Sequence, residues 1–319
     1  MGKRLVLVDG HALLHRAYHA FPKSLVNSKG ELVNAVYGFT RTLLSILREL
    51  KPEYVVVAFD KKGPTFRHKE YAEYKAKRPK MDEELAEQIE RTREVVEALG
   101  IPVLEKEGFE ADDVIGTVCK KVKGKPVEVV VVTGDRDVLQ LVDERVKVYM
   151  PKRGRQKAAE WWKRETVEEK LGVAPEQIVD FKALAGDASD QIPGVKGIGP
   201  KTAVELLKRF GSLEGIFRAL EEGKIEDRVA EKLRKGREAA ELSRRLAEIV
   251  RTVPLKFRLE GCRLSDYDKQ RAVKKFEELE FKSLISQLPD DSWEEMVAEV
   301  FEGKRKGRKE EEVEQMGLF

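Results

Sequence analysis

The chain is short of the residues that build soft-ligand metal cages and cross-linked secreted scaffolds: its 319 residues include two cysteines and four histidines. Cys119 and Cys262 lie far apart and form no C-x-x-C pair. That argues against a disulfide framework and suits a reducing compartment, so the expected setting is the cytoplasm. No apolar stretch approaches the roughly 20 residues that cross a bilayer. The opening Met1-Gly2-Lys3-Arg4 leads into a strand-like run without a signal-type apolar region, so no membrane or targeting segment is expected. Charge of one sign is also lacking: the net charge is +3 although 37% of residues are charged, so the placement of charge matters more than its sum. A chain of this length can bury a full core without metals or disulfides.

What is present is a clear alternation. Residues 4–8, 54–59 and 127–132 are short, continuous and β-branched, as buried parallel strands are. Between them, residues 32–50, 85–99 and 114–122 carry apolar side chains at three- and four-residue spacing. The alternation predicts an α/β fold, a parallel sheet with helices on both faces. After Met150 the pattern turns helical. Thr166 and Glu169 are spaced as a capping box, Pro175 and Pro200 suit first helical positions, and Gly211 suits a C-cap. Residues 302–314 hold five basic and five acidic side chains and a single apolar one, a composition expected to form a flexible tail.

Each strand-like run ends in acid: Asp9 in VLVDG, Asp60 in VVAFD, and Asp135 with Asp137 in VVVTGDRD. Strand C-termini of a parallel sheet face one crevice, so these acids should converge. Glu110, Asp112 and Asp113 in FEADDV fall at a helix N-terminus, where negative charge is tolerated. Asp187 and Asp190 in GDASD open the helical half. So many carboxylates in one cleft repel one another unless cations neutralise them. Their hard oxygens favour Mg²⁺ or Mn²⁺ over zinc. Two or more such ions suit phosphodiester hydrolysis. His11, His15 and His19 repeat every four residues without further His or Cys to complete a zinc shell, and are read as structural or substrate-facing.

The motifs VLVDGH, AVYGF, VVAFD, FRH…YK, FEADDV, TGDRD, GDASDQIPGVKGIGPKTA and FEELEFKSL, in order over residues 4–288, resemble the 5′ nucleases: the N-terminal domain of bacterial DNA polymerase I, phage 5′ exonucleases and flap endonucleases. The resemblance implies a PIN-like catalytic domain over residues 1–174 with a basic helical arch at about 61–95. It further implies a helix-three-turn-helix DNA-binding module at 175–260, helices at 261–289 packing back on the core, and a tail at 290–319. It assigns metal binding to Asp9, Asp60, Glu110, Asp112, Asp113, Asp135, Asp137, Asp187 and Asp190, and contact with the scissile phosphate to Lys75 and Arg78. Residues 61–80 hold eight Lys or Arg against two Glu. Within that stretch Arg67, Tyr74 and Lys77 are expected to meet DNA.

The segment 194–202 is no P-loop, because Pro200 separates the glycines from Lys201. A glycine hairpin before a helix suits phosphate binding by backbone N–H groups, with Gly194, Lys196, Gly197, Gly199, Lys201 and Thr202 as the duplex contacts. The resemblance adds a potassium ion at that hairpin. Residues 152–164, basic and carrying Trp161 and Trp162, are read as either an added DNA contact or packing. The ending Gln315-Met-Gly-Leu318-Phe319 resembles the peptide by which bacterial replication proteins dock on the β sliding clamp, which suggests a stand-alone chain. The expected activity is a monomeric, structure-specific 5′ nuclease acting on 5′ flaps, nicks, gaps and RNA–DNA primers. A catalytically silent DNA-binding scaffold and a PIN-type ribonuclease are the alternatives.

Overall fold

Leu5 to Val8 and Val129 to Val132 are apolar at every position and at most 2% exposed, so the strands that hold them bury both faces. These are β1 (Lys3–Asp9) and β4 (Val127–Val132), paired in parallel at the centre of a six-stranded sheet of order β3-β2-β1-β4-β5-β6. β2 (Tyr54–Ala58) and β3 (Val103–Leu104) extend it on one side, β5 (Val146–Met150) and β6 (Glu160–Trp162) on the other. All pairings are parallel except that of β6 with β5. The structure, a computed structural model, describes residues 3–151 and 158–291.

Alternate strand residues feed two cores. Val6, Val8, Val55, Val57, Val130 and Val132 pack with α1 (Gly10–Ala20), α2 (Asn34–Leu50) and α4 (Glu83–Ala98). The same core takes Phe276 and Leu284 from α12 (Lys269–Glu278) and α13 (Lys282–Ile285). Leu5, Leu7, Val56, Val129 and Val131 pack with α5 (Ala111–Lys121) on the other face. That core continues without a break into the helical half: α6 (Arg164–Leu171), α7 (Ile178–Ala185), α8 (Pro200–Phe210), α9 (Leu213–Glu221) and α10 (Asp227–Lys235), followed by α11 (Arg237–Ala247). Each fully buried aliphatic or aromatic side chain in these layers contributes about 1.5–3 kcal/mol.

Pro200 begins α8 and Gly211, at φ +82°, ends it, as their types require. The Thr166 capping box does not form, because α6 starts at Arg164 and Thr166 lies inside it. The basic stretch is helical only over the five residues of α3 (Phe66–Glu70) and continues through turns to Arg78. Trp162, the last residue of β6, is fully buried and Trp161 packs edge-on against Tyr149 at 5.1 Å, so the pair closes the antiparallel edge of the sheet. Residues 152–157 of that basic segment and the clamp-type peptide, Gln315, Leu318 and Phe319, lie outside the described residues.

Candidate active site

β1 lies where the strand order reverses, and its C-terminal end opens a cavity of about 760 Å³ lined by Asp9, Asp60, Glu110, Asp112 and Asp135 together with Lys75 and Arg78. Asp9 caps α1 by accepting from the Ala12 amide at 3.0 Å, and its other oxygen accepts from Thr133 Oγ1 at 2.7 Å. Asp60 is fixed at both ends: its side chain accepts from the Ala111 amide at 2.7 Å, and its own N–H donates to His11 Nδ1 at 3.0 Å. Glu110 caps α5 and accepts from Tyr74 Oη at 3.2 Å and Lys75 Nζ at 3.0 Å.

Charge and burial conflict here. Burial, together with Asp60 and Asp135, pushes the Asp9 carboxyl up to about 7 against the pull of its amide donor. Burial and the neighbouring Asp135 and Asp9 raise Asp112 in the same direction. Among the described residues no group of three or more His, Cys, Asp or Glu side chains is already gathered as a metal shell. Part of the reason is that protein cations hold several of the acids. Lys182 bridges Asp137 and, at 2.7 Å, Asp187, while Arg78 pairs with Asp190. Burial opposes ionisation of Asp187, but the Lys182 ammonium and the Ser189 hydroxyl outweigh it and hold its carboxyl at about 2. The acids left facing the cavity form an oxygen-only donor set, with proton affinity raised at Asp9 and Asp112, which fits a hard divalent cation.

Four assignments change. Asp113 is fully buried and turned from the cavity, with both oxygens taken by Arg67 Nη1 and Nη2 at 2.8 Å and further donated to by the Glu110 and Val250 amides. It locks α5 in place and has no oxygen left for a metal. Arg67, 3% exposed, also donates to the carbonyls of Leu246 and Glu248, so it is a buried brace and not a DNA contact. Tyr74 is likewise buried against Glu110. Gly194, read as a duplex contact, is buried too. A Cβ there would stand 2.3 Å from the Gly186 amide nitrogen, so this glycine serves backbone-to-backbone packing.

Lys75 does reach the site, and its backbone is strained to do so. Its φ is +54°, in a region that costs a non-glycine residue about 1–2 kcal/mol. Its N–H donates to the Asp190 carbonyl at 3.0 Å, and the next turn is tied by the Lys77 N–H to Gln191 Oε1 at 3.1 Å. Burial disfavours the Lys75 ammonium, but Glu110 and Asp190 outweigh it and hold the lysine charged. Lys182 and Thr133 escaped the reading of the sequence. A single lysine inside the apolar run IVDFKALA was the available signal for the first, and nothing local marked the second. Lys77, Lys196, Gly197, Gly199 and Lys201 are exposed and Thr202 is half-buried.

Comparison with known proteins identifies the family and the fold. Residues 4–172 match the profile described as "5'-3' exonuclease, N-terminal resolvase-like domain", and residues 173–270 match "5'-3' exonuclease, C-terminal SAM fold". DNA polymerase I of Caldicellulosiruptor bescii is 46% identical over 286 residues, which cover 89% of this chain and 33% of the polymerase. The chain thus spans about a third of the length of such relatives. A T5 5′-exonuclease structure described with bound zinc superposes with a TM-score of 0.64 at 21% identity, covering 90% of this chain and 99% of its own. Flap endonuclease-1 from Methanococcus jannaschii superposes with a TM-score of 0.56 at 22% identity, covering 89% and 91%. These two likenesses establish the fold. Among the described residues no helix is long and apolar enough to cross a membrane.

Proposed function

The chain belongs to the 5′-3′ exonuclease family, and from that premise we propose that it is a structure-specific 5′ nuclease that hydrolyses phosphodiesters in DNA carrying 5′ flaps, nicks or gaps and in RNA–DNA primers. The observation that carries the proposal is the cavity in which Asp9, Asp60, Glu110, Asp112 and Asp135 face Lys75 and Arg78. The carboxylates would hold Mg²⁺ or Mn²⁺, which when bound activates water and offsets charge on phosphate. The rest falls to the chain. Lys75 and Arg78 place fixed positive charge beside a phosphate and stabilise the charge that develops as the bond to it breaks. Lys182 neutralises Asp137 and Asp187, so the helical half approaches the acidic cavity without adding repulsion.

Lys196, Gly197, Gly199, Lys201 and Thr202, at the start of α8, present amide N–H groups and ammonium charge to a duplex phosphate. Asp187 and Asp190 stand between that hairpin and the cavity, so a duplex gripped at the hairpin would be cut at a set distance. The terminal Gln315, Leu318 and Phe319 extend the proposal to recruitment by a sliding clamp, with the enzyme acting as a monomer.

The test incubates labelled 5′-flap DNA and single-stranded RNA with the protein in Mg²⁺ or chelator, beside D112N. Flap cleavage that needs Mg²⁺ and Asp112 is expected. Cleavage that survives chelator, cleavage of the RNA alone, or tight flap binding without cleavage would sink the proposal.

A further inference from the structure

The resemblance implies a potassium ion at the glycine hairpin, but the hairpin already holds a cation of its own. Residues 194–199 turn sharply between α7 and α8, with Gly194 at φ +63° and Gly197 at φ +83°. Three of its carbonyls have donors within the protein. Val195 accepts from the Ile198 amide at 2.9 Å, Gly199 from the Ala203 amide at 3.0 Å, and Gly197 from Lys232 Nζ at 2.8 Å. Lys232 comes from α10, and it makes no ion pair with a carboxylate among the described residues.

The helix end that carries it is pressed onto the hairpin. A Cβ added at Gly236 would stand 2.7 Å from Val195 Cγ1, and one at Gly197 would stand 3.1 Å from Lys232 Cε. Gly197 therefore leaves room for the lysine stem, and Gly236 lets the end of α10 close on Val195. An ammonium group has the charge of potassium, nearly its size, and three donors for carbonyl oxygen.

We propose that Lys232 takes the place of the monovalent metal ion in the hairpin, so that this chain holds its duplex-binding turn, and grips DNA, without potassium. A carbonyl left without a donor next to bound phosphate would repel it. The Lys232 ammonium cancels that repulsion and leaves the hairpin amides for the phosphate. A covalently attached cation also acts at any salt composition, whereas a bound ion depends on its concentration. The proposal rests on the reading of the hairpin as a duplex grip, and its second measurement does not.

Binding of a fluorescent duplex by anisotropy, in chelator and at equal concentrations of potassium, sodium or tetramethylammonium chloride, reads the first part. The native chain should bind with affinities within about threefold of one another across the three salts. K232M should bind at least about fivefold more weakly in tetramethylammonium and recover in potassium. In the second measurement, thallous ion, a potassium surrogate, is titrated against the DNA-free protein by thallium NMR. Saturable binding is expected for K232M and not for the native chain. A native chain whose affinity rises more than about threefold in potassium overturns the proposal. So do native thallium binding, an unchanged K232M, or a weakened K232M that potassium does not restore. K232Q serves if K232M loses its native circular dichroism. If no duplex binds in any salt, the grip reading fails and the thallium titration alone decides the role of Lys232.

Discussion

The acids near the sheet and those near the helical half have the same chemistry and opposite surroundings. Asp9 and Asp112 crowd other carboxylates and have their proton affinity raised, Asp9 to about 7. Asp187 shares a lysine and is held at about 2. Burial opposes ionisation in both regions. The difference lies in the balance of neighbours. Lys182 and Ser189 bring Asp187 down, whereas carboxylates raise Asp9 and Asp112 against the pull of Lys75 on Asp112. Burial keeps Asp137 raised to about 6 even beside Lys182. One region is therefore left needing a cation from solution, and the other already has its own.

The largest effect should come from breaking the first region at Asp112. D112N should lower kcat/KM about a thousandfold or more, roughly 4 kcal/mol of transition-state stabilisation, and weaken Mn²⁺ binding measured by calorimetry. D113N should leave Mn²⁺ affinity within about twofold, since both Asp113 oxygens are occupied by the protein. Equal loss of metal in the two variants would show that Asp113 is a ligand after all.

Next is the brace between the regions. R67A strands a fully buried Asp113 and should cost about 3–5 kcal/mol in denaturant unfolding. A loss under about 1 kcal/mol would mean that the Arg67–Asp113 pair does not hold α5 in place.

The pH dependence sharpens the contrast. In the folded protein Asp9 keeps a proton to about pH 7 that the unfolded chain releases near 3.8. The fold binds more protons across that window, so Asp9 makes the metal-free protein less stable as pH rises through it. His11 and His15, whose proton affinity burial lowers, oppose this trend below their ordinary range. The Tm of the native chain minus that of D9N, measured in chelator, isolates the Asp9 part and should fall from pH 5 to about pH 7 and then level off. Mg²⁺ should raise the native Tm more at pH 8 than at pH 5. A pH-independent difference contradicts the assignment of burial and repulsion to Asp9.

The smallest effect belongs to the paired region. Asp187, depressed to about 2, contributes stability that is present above the ordinary carboxylate range and lost as pH falls through about 2. K182M should cost about 1–2 kcal/mol at neutral pH, a loss that fades in acid. A cost that persists at pH 2 would trace to packing instead of charge.

Much of this was legible in the residues. The runs at 4–8 and 127–132 showed buried parallel strands because both faces are apolar, and the acids that end them had to meet at one edge. β3, β5 and β6 were missed: β3 is two residues long, β5 carries Lys147 among its apolar residues, and β6 is three residues long and lies where the pattern turns helical. Arg67 looked like every other cation of a basic stretch. What singles it out, the carbonyls of Leu246 and Glu248, lies about 180 residues away.

By itself the sequence determined which residues could be strands, where the acids fall, and which glycines turn the chain, because period, side-chain type and φ preference are local properties. Tertiary structure decided which acids remain open. Asp112 faces the cavity while its neighbour Asp113 is buried, because successive helix residues point about 100° apart. Lys182, Arg67 and Lys232 find their partners across segments that only folding brings together. Whether a given charge is neutralised by the protein or left to a solvent ion is set by that packing.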